Sequence, residues 1–480
     1  MFARTEGATA EDRRSGAPVV YDVTRLFLGP LSRTPRGIDR VDITLARHFF
    51  AHARRDCVGI MPSTLGVRVF DRERVLRGLE RLQVIWAEAD HANERADRAL
   101  GQLKASLAGK SEQMLVAADT RDLLAQKMRR MLSLLGATGF SFGRSPRSRV
   151  PKGAVYINVG HYGLAVPMFL NWLRRRADVT CVFMLHDVIP VEMPHFVEPS
   201  SARHHATMVS STARYADGLL ISTHAARDAV AAALRAQGRE KVAILPHPLP
   251  LTQEFDEDVP RGNLAPSAPY FVICGSIEPR KNHALLVKVW ELLVDRMGER
   301  APPLVVIGSL GWEGQAILEQ FGEERRIARR IHVVSGLATP AMKRLVADAA
   351  GLLMPSFAEG YGFPLVEAAR LGVPVIASDI PAHREVARPG SVLLKPDDAT
   401  AWAETIQLWL ESDKRPAVSR MTSADVLNER QAYLRAVETF VDECAASDTY
   451  RGSRVALSVR DVEMRGSPES AAQPHGKAFP

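Results

Sequence analysis

Two glutamates, Glu359 and Glu367, stand eight residues apart in a segment suited to binding a phosphorylated ligand. The first follows an apolar strand pattern, and a glycine-rich turn separates it from Pro364. Because proline lacks a backbone N–H, it is well tolerated in the first turn of a helix. The pattern therefore predicts a helix that begins near Pro364, directly after a buried strand and a tight turn.

The start of this helix predicts an anion site. We expect free backbone N–H groups at Leu365 and Val366, at the positive end of the helix dipole, where phosphate binds well. Glu367 on the first turn could hold a ribose hydroxyl pair, and Glu359 would face the group attached to the phosphates. The pattern predicts a nucleotide-sugar site at the carboxyl edge of a parallel sheet. A plain strand–turn–helix unit with two solvated glutamates is the alternative.

A second motif runs from Gly275 to His283 and also follows a strand pattern. Arg280 offers a planar fork and Lys281 a point charge, a combination that suits a diphosphate. Fixed cations at this place would stabilise negative charge that grows on a departing phosphate. The alternative is a solvated basic turn.

Polar residues also follow strand patterns in the N-terminal half of the chain. His186 and Asp187 end one such pattern, where a histidine could transfer a proton or bind a sugar hydroxyl. A structural histidine is the other interpretation. His161 follows another strand, and Gly37 lies between the first strand and the first helix, where a glycine turn brings N–H groups to a phosphate.

Together the 359–367 and 275–283 segments resemble the motifs of the retaining GT-B glycosyltransferases of glycosyltransferase family 4. The second segment resembles the variant found in bacterial mannosyltransferases of surface-polysaccharide pathways. One departure is Ser276, which stands where many members carry arginine, so the charge of Arg280 becomes more important. The resemblance is strongest over residues 270–386 and weaker in the first half of the chain.

The resemblance implies a retaining, metal-independent transfer without a cofactor, from a nucleotide diphosphate sugar to a saccharide or lipid-linked acceptor. It implies catalytic roles for Glu359, His186, Arg280 and Lys281, and an acceptor side near His161 and Asp187. GDP-mannose is the expected donor, with UDP-sugars as the alternative. The implied donor-binding residues are Gly37, Gly275, Ser276, Arg280, Lys281, Glu359, Gly360, Tyr361, Gly362, Phe363, Leu365, Val366 and Glu367. A nucleotide-sugar epimerase, a phosphorylase or a non-catalytic nucleotide-sugar-binding module are the competing interpretations.

Alternating strand and helix patterns predict an α/β protein with two facing Rossmann-like domains and an interdomain cleft, which is the GT-B architecture. We expect an N-terminal acceptor domain at 18–250 that carries a helical insertion at about 72–135. A nucleotide-sugar-binding domain at 251–425 and a helix at 426–445 that crosses back to the first domain follow. Residues 1–17 and 446–480 are expected to be disordered.

Composition narrows the cellular setting. The chain has 480 residues and a formal net charge of +7, and its four cysteines show no metal-ligand spacing, so we expect no metal site. The absence of an apolar leader or long apolar run predicts a cytoplasmic protein. Residues 123–177 contain no acid and ten bases, which suits the anionic inner face of the cytoplasmic membrane or, alternatively, a solvated basic surface. Nucleic-acid binding is not expected, because this span lacks a nucleic-acid motif.

Overall fold

The structure is a computed structural model that describes residues 16–28, 37–63, 66–91, 94–107, 115–117, 124–139, 144–259, 269–411 and 415–447. Nearly all of the two terminal segments predicted to be disordered lies outside these ranges. Within them, the strands are Val19–Asp22 (β1), Cys57–Ser63 (β2), Gly66–Phe70 (β3), Leu115–Ala117 (β4), Val155–Asn158 (β5), Thr180–Met184 (β6), Gly218–Ile221 (β7), Ala243–Pro246 (β8), Phe271–Cys274 (β9), Leu304–Ile307 (β10), Ile331–Val334 (β11), Gly351–Met354 (β12), Val375–Ser378 (β13) and Ser391–Leu394 (β14).

Helices connect these strands on both faces of the sheets. They are Thr24–Leu28 (α1), Gly37–Arg47 (α2), Arg72–His91 (α3), Glu94–Ala105 (α4), Leu124–Ala137 (α5), Pro146–Arg149 (α6), Ile189–Glu192 (α7), Pro199–Tyr215 (α8), His224–Ala236 (α9), His283–Met297 (α10), Gly314–Glu323 (α11), Arg325–Ala328 (α12), Thr339–Ala347 (α13), Phe363–Leu371 (α14), Pro381–Val386 (α15), Ala399–Glu411 (α16) and Ser423–Ala446 (α17). Short 3-10 turns lie at Pro167–Arg175, Pro194–Phe196, Gln253–Phe255, Pro279–Lys281 and Gly298–Arg300, and a π-helical turn at His48–His52.

The described strands form two sheets. The first has the order β3-β2-β1-β5-β6-β7-β8, in which only the β2–β3 hairpin is antiparallel. The second has the order β14-β13-β12-β9-β10-β11-β4 and is parallel at every pair. Central strands such as β1, β6 and β12 are buried along their whole length, as expected when helices cover both faces of a parallel sheet. The fold is therefore α/β with two Rossmann-like domains.

The insertion in the first domain also reaches the second sheet. Helices α3, α4 and α5 occupy the region predicted to be helical, and β4 lies between α4 and α5. Strand β4 pairs in parallel with β11, with Leu115 opposite His332. The hydroxyl of Ser106 also lies 3.1 Å from Nδ1 of His332. The sequence predicted the helices but not this strand, because a three-residue strand is too short to show a period.

The last described helix, α17, contacts β6, β7 and β8 of the first sheet after the chain has completed the second sheet. The linker at 247–259 and α17 thus join the two domains at the same side. No helix among the described residues is both long enough and apolar enough to cross a membrane.

Candidate functional site

The carboxylate of Glu359 lies at the centre of a cluster in the loop that follows β12. It accepts hydrogen bonds from Nζ of Lys281 at 2.6 Å, from Nη1 of Arg280 at 2.9 Å and from the hydroxyl of Ser356 at 2.7 Å. Its side chain is only 8% exposed. The structure therefore brings together three of the residues to which the sequence assigned charge chemistry.

Electrostatics keep Glu359 ionised. Burial alone would raise the pKa of this carboxyl, but the charges of Arg280 and Lys281 outweigh burial and hold the pKa well below its ordinary value. The guanidinium of Arg280 also donates to the carbonyl of Ala358 at 2.6 Å and to Glu278 at 2.8 Å. The cation pair is thus fixed in position at the carboxyl edge of the second sheet.

The loop that carries these cations is anchored to the neighbouring strand. The N–H of Gly275 donates to the carbonyl of Ile307 at 3.0 Å, and two residues further on the N–H of Ile277 donates to Ser309. Ser276 lies between these two anchored positions. Because β9 and β12 are adjacent and parallel, this loop and the Glu359 segment, which follow them, lie at the same edge of the sheet.

Helix α14 begins as the sequence predicts, with Gly362 at φ 103° immediately before it. A positive φ strains residues that have a Cβ, so glycine suits this position. The N–H of Leu365 donates to the carbonyl of Gly362 at 3.0 Å, so the prediction that this group is free is wrong. A tight first turn uses the donor internally. Leu365 and Val366 are both buried.

Glu367 is paired with the other domain. Its Oε1 accepts from Nη1 of Arg40 in α2 at 2.7 Å, and the two side chains are 12% and 10% exposed. Burial raises the pKa of Glu367, and the charge of Arg40 opposes that shift. The sequence did not identify Arg40 as part of the site.

Tyr361 and Phe363 fix the glycine-rich turn. The hydroxyl of Tyr361 donates to the carbonyl of Leu249 in the interdomain linker at 2.8 Å, and the two rings meet edge to face at 5.1 Å. A Cβ on Gly37 would lie 3.2 Å from the ring of Phe363. The first glycine turn therefore touches the start of α14 across the domain boundary.

Gly360 lies directly against the first domain. Its carbonyl accepts from the hydroxyl of Ser222 at 2.9 Å and from that of Thr223 at 3.2 Å, both at the end of β7. A Cβ on Gly360 would lie 2.7 Å from the carbonyl oxygen of His186, and 2.9 Å from Oδ2 of Asp187. Only glycine fits there without movement. The sequence-based prediction did not include Ser222 and Thr223, although their position directly after a strand could have indicated them.

His161 and His186 lie side by side in the first domain. Their ring centroids are 4.8 Å apart, and among the described residues neither Nε2 atom has a hydrogen-bond partner. Burial lowers the pKa of His186 to about 3, with a further contribution from the charge of Arg25. Burial and the neighbouring His186 lower the pKa of His161 as well. Both rings are therefore neutral near pH 7 and can donate or accept hydrogen bonds.

Hydrogen bonds to the backbone fix His161 and the residue that follows His186. The backbone of His161 adopts φ 65°, and its N–H donates to the side-chain oxygen of Asn158 at 3.0 Å. Asp187 accepts from the N–H of Ile189 at 3.1 Å, and burial raises its pKa while Arg280 opposes the shift. The sequence-predicted residues of both domains thus converge on the Glu359–Gly360 segment.

This arrangement defines a class. The two Rossmann-like domains have the GT-B arrangement that the sequence predicted, and the cation pair, Glu359 and Glu367 lie in the second of them. Residues 254–423 match the family described as glycosyl transferases group 1. This match covers most of the second domain and leaves the first domain outside it.

The sequence of this chain is similar to those of two mannosyltransferases, at low identity. The chain is 26% identical over 274 residues to the serotype-specific mannosyltransferase WbdA of Escherichia coli, a match that covers 54% of this chain and 33% of the relative. It is 32% identical over 144 residues to the O-antigen chain mannosyltransferase B of Escherichia coli, covering 30% of this chain and 37% of the relative. The chain thus spans about a third of the length of these curated relatives.

A solved structure shows a similar fold. The N-terminal domain of trehalose-6-phosphate phosphatase from Candida albicans superposes with a TM-score of 0.54 and 12% identity. The match covers 92% of this chain and 99% of that one. Agreement over almost the whole of both chains supports the two-domain arrangement.

Proposed function

We propose that this chain is a retaining glycosyltransferase that moves mannose from GDP-mannose to a saccharide or lipid-linked acceptor. The observation that carries the proposal is the Glu359–Arg280–Lys281 cluster, at a sheet edge in a group 1 glycosyl transferase domain. The similarity to mannosyltransferases of Escherichia coli supports mannose as the sugar. UDP-sugars are the alternative donors.

The cations would act on the leaving group. During transfer, the bond between the anomeric carbon and the diphosphate oxygen breaks, and a bond from an acceptor oxygen to the same carbon forms on the same face of the sugar. The acceptor proton goes to the departing phosphate, so the products are the glycoside and the nucleoside diphosphate. Arg280 and Lys281 would stabilise the charge that develops on that diphosphate, without moving during the reaction.

Glu367 and the first-domain histidines would position the donor and acceptor. Glu367 would bind the ribose, which requires the ribose to share this carboxylate with Arg40 or to displace it. His186 would bind a sugar hydroxyl and not act as an acid, because its pKa of about 3 leaves the ring neutral. His161 and Asp187 would lie on the acceptor side.

Thermal stabilisation by nucleotides tests the proposal. We expect GDP to raise the unfolding midpoint of the purified protein more than UDP or ADP, and the Arg280→Gln variant to lose most of that shift. An equal shift with UDP would move the donor assignment to UDP-sugars. No shift with any nucleotide would contradict donor binding and favour a non-catalytic role. Incubation with donor alone separates an epimerase, which needs no acceptor, from a transferase.

We also propose contact with an anionic membrane through α5. Met128 and Leu132 lie one turn apart on this helix and are 44% and 54% exposed, and Lys127 and Arg129 beside them are exposed too. An apolar stripe with flanking cations suits the headgroup region of an anionic bilayer. We expect co-sedimentation with phosphatidylglycerol vesicles but not with phosphatidylcholine vesicles, and its loss in the Lys127→Glu/Arg129→Glu variant. Equal behaviour with both vesicles would leave α5 as a solvated basic face.

A further inference from the structure

A pocket lies near Glu359, where the first domain meets the second. It has a volume of about 410 Å³, within the usual range for small-ligand sites. Phe196 contributes from the first domain, and Phe357 and the first turn of α10 contribute from the second. None of the residues assigned above to the donor site lines this pocket.

An aromatic pair forms one wall of the pocket. The rings of Phe196 and Phe357 are nearly parallel, at 10°, with centroids 5.2 Å apart, and both side chains remain partly exposed. The N–H of Phe357 donates to the carbonyl of Arg280 at 3.0 Å. Because Phe357 and Glu359 are two residues apart, their Cα atoms lie within about 7 Å of each other. The pocket is thus fixed relative to the reaction site.

The polar lining of the pocket does not favour an anion. It contains one lysine, Lys288, against two carboxylates, Glu313 and Asp397, all three of them exposed. His283 also lines the pocket, and burial lowers its pKa to about 4, so it adds no charge near pH 7. Aromatic surface combined with balanced hydrogen-bonding groups suits a neutral ligand rich in hydroxyls and C–H faces.

We propose that this pocket binds a neutral saccharide, namely the part of the acceptor chain that lies beyond the reacting sugar. The inference rests on the proposed glycosyl transfer and adds the class of acceptor, a saccharide chain longer than one unit. The C–H faces of a sugar ring pack against Phe196 and Phe357, and its hydroxyls bond to Lys288, Glu313 and Asp397. A single sugar held by the donor-site residues would not use these contacts, because none of those residues lines the pocket.

Calorimetric titration of the full chain tests the proposal, with GDP or whichever nucleotide stabilises the protein present at saturation. The probes are mannose, mannotetraose, maltotetraose and cellotetraose. We expect at least one tetrasaccharide to bind about tenfold or more tighter than mannose, and Phe196→Ala to remove most of that gain. Lys288→Ala, at an exposed position, gives a second variant if loss of Phe196 prevents folding. Leu408→Ala, 45% exposed on α16 and absent from the pocket lining, should bind as the wild type does.

Two results overturn the inference. One is equal or absent binding of all tetrasaccharides relative to mannose, and the other is undiminished tetrasaccharide binding in both Phe196→Ala and Lys288→Ala. A nucleotide shift in the same samples shows that donor binding persists, so the pocket assignment fails alone. If neither nucleotides nor saccharides bind, the proposed function fails together with this inference.

Discussion

Under the proposed function, Glu359 would share its two cations with the donor diphosphate. Its contacts with Arg280 and Lys281 occupy a hydrogen-bond donor of each cation. The carboxylate therefore orients the cations and at the same time reduces the positive charge that a ligand meets. Glutamine has the same shape as glutamate but no charge, so replacing Glu359 with glutamine separates these two effects.

Glu359→Gln tests this balance. We expect transfer to fall by about a hundredfold or more, as when a positioned polar group is removed from a reaction site. Nucleotide binding should persist or strengthen, because Arg280 and Lys281 lose their anionic competitor. Transfer assays with radiolabelled donor and nucleotide thermal shifts measure both effects. Glu404→Gln, with a side chain 64% exposed on α16, is the matched control. Wild-type transfer in Glu359→Gln would remove Glu359 from the site.

The histidine pair makes stability depend on pH. His186 has a pKa of about 3 in the folded protein and an ordinary value of 6.5, so the unfolded chain binds more protons below about pH 6.5. Its contribution to stability is therefore present above that pH and is lost as the pH falls toward the folded value. In His186→Gln, the loss of unfolding free energy between about pH 7 and pH 5 should be smaller, by up to about 2 kcal/mol. Urea titrations at the two pH values measure the unfolding free energy of wild type and variant. The same loss of unfolding free energy between the two pH values in both proteins would contradict a buried neutral His186.

The types of residue at strand ends were predictable, whereas their partners were not. Glu359, Arg280 and Lys281 were identified from local patterns, and the structure places them in contact. Arg40, by contrast, is 327 positions from Glu367 and meets it only because the domains dock. Nothing in hydrophobic periodicity encodes such a contact.

At the level of secondary structure, a residue of the second domain caps the N-terminus of helix α9. The N–H groups of His224 and Ala225 donate to the two carboxylate oxygens of Glu385 in α15, both at 2.7 Å. Thr223 caps the same helix, accepting from the N–H of Ala226 at 3.1 Å. A carboxylate at this helix end satisfies free donors and interacts favourably with the helix dipole.

Glu385→Ala should lower the free energy of unfolding by about 1 kcal/mol, because two donors lose their acceptor and the dipole loses its counter-charge. Glu385→Gln keeps one acceptor oxygen and should lie between the variant and the wild type. Guanidinium unfolding curves report both changes. Equal stability of all three proteins would show that water replaces the carboxylate without loss.

The strands that lead to the candidate site were predictable from their apolar patterns, whereas several other strands were not. Strands β6, β9 and β12 lie where the apolar patterns before His186, Gly275 and Glu359 predicted them, whereas β2, β3 and β14 were missed. Strand β2 contains Gly59 and Pro62, which are poor strand formers, and β14 is only partly buried. Their position in the sheet comes from neighbouring strands and not from their own pattern.

In the whole molecule, buried polar contacts are among those that join the two domains. The Arg40–Glu367 pair and the bonds from Ser222 and Thr223 to Gly360 cross the boundary. These contacts join the first domain to the segment that carries Glu359. In this structure the same contacts therefore join the domains and hold the Glu359 segment in position.

A double-mutant cycle measures the ion pair. Arg40→Ala leaves Glu367 buried without its partner and should lower the free energy of unfolding by about 3 kcal/mol. Adding Glu367→Gln removes the unpaired charge and should restore part of that loss. Chemical unfolding of the wild type, both single variants and the double variant gives the coupling free energy between the two side chains. Strictly additive losses would show that the two side chains do not interact in solution.

Strand β4 has a consequence for the order of events during synthesis. It leaves the ribosome with the first domain, but its partner β11 is made far later in the chain. At cellular elongation rates this delay is on the order of ten seconds or more. The nascent first domain therefore presents an unpaired strand throughout that time, and the second domain completes its sheet by recruiting a segment that has already been translated.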